Sequence, residues 1–156
     1  MTDNVSKILL ATDGSEGSLR AARFAGSIAR PLGAQVTILT AHDNDLLVLN
    51  SMGPSVWPGA VPDTLLNFEE VKAATEKQTE STTIAQARKA LGDLTRIDTV
   101  QMWGHTAEAI CNYATENGFD LIVIGSRGRS AFSRLLLGSI SSQVSQHSSC
   151  PVTIVH

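Results

Sequence analysis

The chain has 156 residues, of which 42% are hydrophobic and 17% charged, with a formal net charge of −3. That is the length of one ordinary domain, able to bury roughly 70% of the surface its unfolded form exposes without a metal or disulfide staple. The composition excludes a disordered chain, and the weak negative charge excludes a broad basic surface of the kind that grips nucleic acid through its phosphates. Cys111 and Cys150 are the only cysteines. They stand in no C-x-x-C or Cys/His ligand spacing, so two buried, reduced thiols are expected. The N-terminus carries no signal-peptide pattern and no apolar run reaches the roughly 18 residues of a membrane span, so the expected setting is cytoplasmic, with neither membrane nor nucleic acid as partner.

Residues 7–12 (KILLAT) form a short apolar run that ends at Asp13, Gly14 and Ser15, the pattern of a strand buried on both faces and followed by a turn. A helix is predicted over 18–32, with Ala22, Ala25, Ile28, Ala29 and Leu32 inward and Gly33 as its stop. Pro31 in its last turn predicts an early or tightened end. Residues 36–41 read as a second buried strand, which completes a βαβ unit. Residues 44–62, with three prolines and two glycines among apolar residues, read as an excursion that could serve as a lid. A long helix is predicted over 64–91, capped by Asp63 and polar between 77 and 83. A third strand follows over 97–102, then a helix over 107–117 capped by Thr106 and stopped by Gly118. Residues 120–124 (DLIVI) are the most strand-like run and lead directly into Gly125, Ser126, Arg127 and Gly128. A short helical piece over 130–137, a helix opening at Gly138 and Ser139, and a strand over 152–155 complete the chain. Five strands alternating with helices make residues 1–156 a single α/β domain: a doubly wound, Rossmann-like parallel sheet with helices on both faces.

In such sheets ligands bind beyond the carboxyl ends of the strands. Three segments lie there: Asp13 to Ser15, Ala41 to Asp43, and Gly125 to Gly128. Glycine lets backbone N–H groups approach an anion, and a helix N-terminus adds unsatisfied donors and partial positive charge. Gly-x-x-Gly after a strand can also serve the backbone alone. The full spacing of Gly125, two residues, Gly128, nine residues, Gly138-Ser139 points to phosphate binding. Asp13 reads either as a helix-capping carboxylate or as a ligand contact. Arg127 and Arg129 read as phosphate contacts or as solvated side chains. His42, His105 and His147 share no ligand spacing with a carboxylate, and no Gly-Lys-Ser/Thr is present, so no catalytic residue is assigned and no metal site is expected.

The run 8–16 (ILLATDGSE), the run 33–39 (GAQVTIL), the run 120–130 (DLIVIGSRGRS), and the run 136–141 (LLGSIS) continuing to Cys150-Pro151-Val152 resemble the universal stress protein family over nearly the whole chain. The resemblance implies strand order 3-2-1-4-5 and an ATP-binding member whose glycine spacing is complete. It places Gly125 and Gly128 against ribose and phosphates, and Gly138, Ser139 and the Ile140 amide on the phosphate chain. Asp13 would face ribose or adenine, and the Ala41 backbone the adenine edge. Mg²⁺ or Mn²⁺ would ride on the triphosphate. The family often has proline where this chain has Ala11 and a bulkier aliphatic at Ala41, which makes for a looser base wall. Relatives pair through the last strand, so a homodimer about Val152–Val155 is expected. The function implied is an ATP-dependent dimeric switch of the stress response, acting on a further protein partner. The alternatives are slow ATP hydrolysis or binding of AMP or a cyclic nucleotide.

Overall fold

The computed structural model describes residues 4–44, 68–128 and 137–156. The excursion at 45–62, the expected cap at Asp63, Arg129 and the helical piece over 130–136 lie outside the described residues. Five parallel strands, β1 (Lys7–Ala11), β2 (Gln35–His42), β3 (Ile97–Trp103), β4 (Leu121–Gly125) and β5 (Val152–Val155), form one sheet of order β3-β2-β1-β4-β5. The pairing is parallel throughout, with Leu10 level with Ile38 on one side and Val123 on the other. The central strands read as continuous apolar runs because both of their faces are covered: Ile8, Leu9 and Leu10 are fully buried.

Alternation along each strand divides the interior in two. On one face Ile8, Leu10, Val36, Ile38 and Val123 pack against the alanines of α1 (Glu16–Leu32) and against α3 (Ala85–Leu91). On the other, Leu9, Ala11, Leu39, Ile122 and Ile124 pack against α4 (Thr106–Glu116) and Val144 of α5 (Ser139–His147). Small residues let α1 approach closely: a Cβ at Gly26 would run into the Leu91 carbonyl of α3.

Several local expectations are corrected. Leu32 is 40% exposed rather than inward, because it lies past the last turn that meets the sheet. Pro31 does not shorten α1, which runs on to Leu32 and closes with left-handed Gly33, whose N–H bonds the carbonyls of Ala29 and Arg30. A prolyl residue in the final turn gives up only one bond there. The expected helix over 64–91 is described as α2 (Phe68–Thr79), a π-helical turn at Glu80–Ile84, and α3. That extra residue in the turn rotates the face, so Thr83, at the end of the stretch that reads as polar, is buried beside Ile84. His105, not Thr106, occupies the N-cap of α4, with no side-chain cap bond. Both thiols are free, but only Cys111 is buried, Cys150 being half-buried. No helix among the described residues is long and apolar enough to cross a membrane.

Candidate functional site

β1 lies between β2 and β4, so the chain leaves it in one direction to β2 and returns on the other side as β4. This reversal opens a crevice between the segments that follow β1 and β4. The Thr12 amide still bonds the Leu39 carbonyl at 3.0 Å, so Asp13 emerges beside the end of β2. Gly14 takes a left-handed φ of 78°, turning the chain into α1. The N-cap of α1 is Ser15, whose Oγ accepts from the Ser18 amide at 3.2 Å. Asp13 is therefore not the helix cap. Its Oδ1 accepts from the Ser15 amide at 3.0 Å, an Asx-type turn that fixes the carboxylate. Its Oδ2 lies so near Gly128 that a Cβ there would approach it to 2.6 Å. The two segments thus meet at Asp13 and Gly128.

Gly125 and Gly128 answer to different neighbours. A Cβ at Gly125 would lie 2.7 Å from the carbonyl carbon of Gly17 and 2.9 Å from the Ser18 nitrogen. Gly125 is thus required by the start of α1, which crosses the end of β4. Gly17 itself would press a Cβ to within 2.9 Å of the Arg127 carbonyl. The Arg127 side chain is exposed, and its carbonyl accepts from Ser15 Oγ at 3.5 Å.

The distant half of the glycine pattern is drawn in through one atom. The Ser126 carbonyl accepts from the Gly138 amide at 2.6 Å and from Ser141 Oγ at 3.0 Å. Gly138 is the N-cap of α5, extended at φ −72° and ψ 160°, with no side chain to cap it. The first-turn N–H groups of a helix have no intrahelical acceptor. At α5 these belong to the exposed Ser139, the half-buried Ile140 and the buried Ser141, and the positive end of the helix dipole lies with them. Asp13, Gly128, Gly138, Ser139 and Ile140 therefore rim one crevice. Arg127 joins it through its main chain, and Gly125 stands one layer below. Ser126 and Ser141, which hold the rim together, carry no sequence signal beyond their place beside glycines.

Ala41, half-buried, packs on the α4 and α5 face of β2. His42 points to the opposite face, its ring stacked on Trp103 with centroids 4.5 Å apart and its Nε2 2.8 Å from Gln101 Oε1. Gln101 Nε2 donates to the Glu76 carbonyl at 3.0 Å, and Trp103 Nε1 to Glu76 Oε1 at 2.6 Å. This cluster ties α2 to the ends of β3 and β2 and is not foreseen from sequence, because its members are scattered between residues 42 and 103. Among the described residues no group of three or more His, Cys, Asp or Glu could hold a metal ion.

The model of the universal stress protein family matches residues 4–156. A curated relative, Universal stress protein YxiE of Bacillus subtilis (strain 168), is 33% identical over 150 residues, covering 96% of this chain and 98% of its own. Among solved structures, Universal stress protein UspA from Lactobacillus plantarum superposes with a TM-score of 0.73 at 23% identity, over 98% of this chain and 99% of that one. A universal stress protein crystallised in complex with cAMP gives 0.63 at 29% identity, over 98% of both chains. The chain belongs to the universal stress protein family.

Proposed function

We propose, with that membership as the premise, that the chain is an adenine-nucleotide-binding regulator whose phosphate site is the crevice between Asp13, Gly128 and the start of α5. The observation that carries this reading is the closure made by the Ser126 carbonyl, which sets the uncapped first turn of α5 beside the Gly128 loop. Backbone donors and a helix dipole converging on open space are what an anion needs. Ser139 and the Ile140 amide would take terminal phosphates, Gly128 the chain nearer the ribose, and the Arg127 guanidinium an outer oxygen. Asp13 would accept from the ribose hydroxyls, and the Ala41 backbone would meet the base. Mg²⁺ or Mn²⁺ would be held mainly by the phosphates, since among the described residues Asp13 is the carboxylate that lies against Gly128 and hard divalent ions seek several oxygens.

Rapid phosphoryl transfer calls for charge aimed at the γ-phosphate and a positioned nucleophile. The motif supplies neither, having no lysine of the Gly-Lys-Ser/Thr kind, so binding rather than turnover is the role assigned. ATP is the leading ligand because the glycine spacing extends as far as Ser139. A monophosphate or cyclic nucleotide is the second reading, favoured by the relative solved with cAMP. Occupancy would alter a dimer formed through β5 and so the choice of protein partner in the stress response.

Calorimetric titration of the native chain with ATP, AMP and cAMP tests the reading. Saturable binding, weakened at least tenfold by Gly128→Val or Ser139→Pro, is expected. No saturable heat with any of the three, or unchanged affinity in both variants, would overturn it.

A further inference from the structure

Among the described residues, one side-chain polar atom is buried without a hydrogen-bond partner. Thr40 is 3% exposed, and its Oγ1 has no hydrogen-bond partner. Alternation along β2 puts Thr40 on the same face as His42. In register, Thr40 lies beside Gln101 and His42 beside Trp103, so the orphan hydroxyl sits on the strand positions next to the cluster that holds the His42 ring.

That cluster fixes the chemistry of the ring. The Glu76 main-chain oxygen can only accept, so the Gln101 group facing it at 3.0 Å is the amide nitrogen. Gln101 Oε1 is thereby the atom presented to His42, and it too can only accept. His42 Nε2, at 2.8 Å from it, must carry the proton. In the neutral imidazole, Nδ1 is then the lone-pair acceptor. Glu76 also receives the Trp103 N–H through Oε1, so one residue of α2 holds both the ring's stacking partner and, through Gln101, its tautomer. A histidine fixed in this way beside an unpaired buried hydroxyl is arranged for a ligand that offers a donor.

We propose that His42 is the base-selecting residue of this site, with its Nδ1 accepting the 6-amino group of adenine and Thr40 Oγ1 completing the contact below it. This rests on the nucleotide reading above. The placement suits it: Ala41, whose backbone is assigned to the base, is the preceding residue, and Asp13 emerges alongside through the Thr12 amide and Leu39 carbonyl. A 6-oxopurine would set its carbonyl lone pair against that of Nδ1, and a site built to bond one polar group rejects an analogue that cannot supply it. Gln101 and Glu76 act as positioning residues.

The test is titration of the full chain with ATP and with ITP, which share the triphosphate and ribose and differ at the base. The native chain is expected to bind ATP at least tenfold more tightly than ITP. His42→Phe, which keeps the stack on Trp103 but removes both nitrogens, is expected to bring the two within threefold. Gln101→Leu and Thr40→Val, the latter nearly isosteric, should each reduce the preference by at least threefold and provide the readout if His42→Phe does not fold. Equal native affinities, or the native ratio surviving in the folded variants, would overturn the assignment while leaving the phosphate reading intact. Failure of both nucleotides to bind the native chain would overturn both.

Discussion

A methyl group at Gly125 would press on the main chain of Gly17 and Ser18, whereas one at Gly128 would press on the end of a single carboxylate. Backbone in a packed crossing cannot give way, so Gly125→Ala is expected to destabilise the fold by about 1–3 kcal/mol. Gly128→Ala, where the crowding falls on the outer oxygen of one side chain rather than on main chain, should cost less than Gly125→Ala in stability and act chiefly on ligand affinity. Urea unfolding of the two variants checks the contrast. At the opposite end of the sheet, Asp120 is held below the ordinary carboxylate range by the Ser6 amide, then by the Lys7 amide and Ser6 hydroxyl, with Lys7 adding a favourable charge. A carboxylate depressed in the folded state lends stability above its unfolded pKa of about 3.9 and loses it as pH falls through the lower folded value. Asp120→Asn should therefore be less stable than the native chain at pH 7, and the gap should shrink below pH of about 4 in thermal melts. Cys111 has its thiol pushed up by burial and secondarily by Cys150, so a thiol reagent at pH 8 should label the half-buried Cys150 well before Cys111.

At the scale of elements, the strands were legible because buried parallel strands are continuous apolar runs, and 7–12, 36–41 and 120–124 are of that kind; their order was implied by the family resemblance alone. Helix ends were less legible. Serine, threonine and aspartate all cap, and only the backbone decides that Ser15 rather than Asp13 serves α1. Ser15→Ala should accordingly cost about 1 kcal/mol in urea unfolding, with the midpoint falling and the slope unchanged. The π turn at Glu80–Ile84 was invisible because its residues, Glu-Ser-Thr-Thr-Ile, carry no distinct pattern. The glycines that rim the crevice could be picked out by their spacing, which survives in one dimension. The His42, Gln101, Trp103 and Glu76 cluster could not, because it forms only when β2 and β3 lie side by side and α2 folds over them.

At the scale of the molecule, β4 pairs with β5 on one side only, leaving β5 at the edge of the sheet. Its residues are all half-buried, an apolar edge that a second copy can extend. A twofold dimer with antiparallel β5 strands is the expected assembly, and Thr153→Lys should shift it to monomer in sedimentation velocity by setting like charges across the axis.

The Ser126 carbonyl has a consequence for how this chain can vary. By receiving both Gly138 and Ser141 it holds the start of α5 against the end of β4. Because that oxygen belongs to the main chain, a change of side chain at position 126 leaves both acceptor contacts available, and the mouth of the crevice does not depend on which residue stands there.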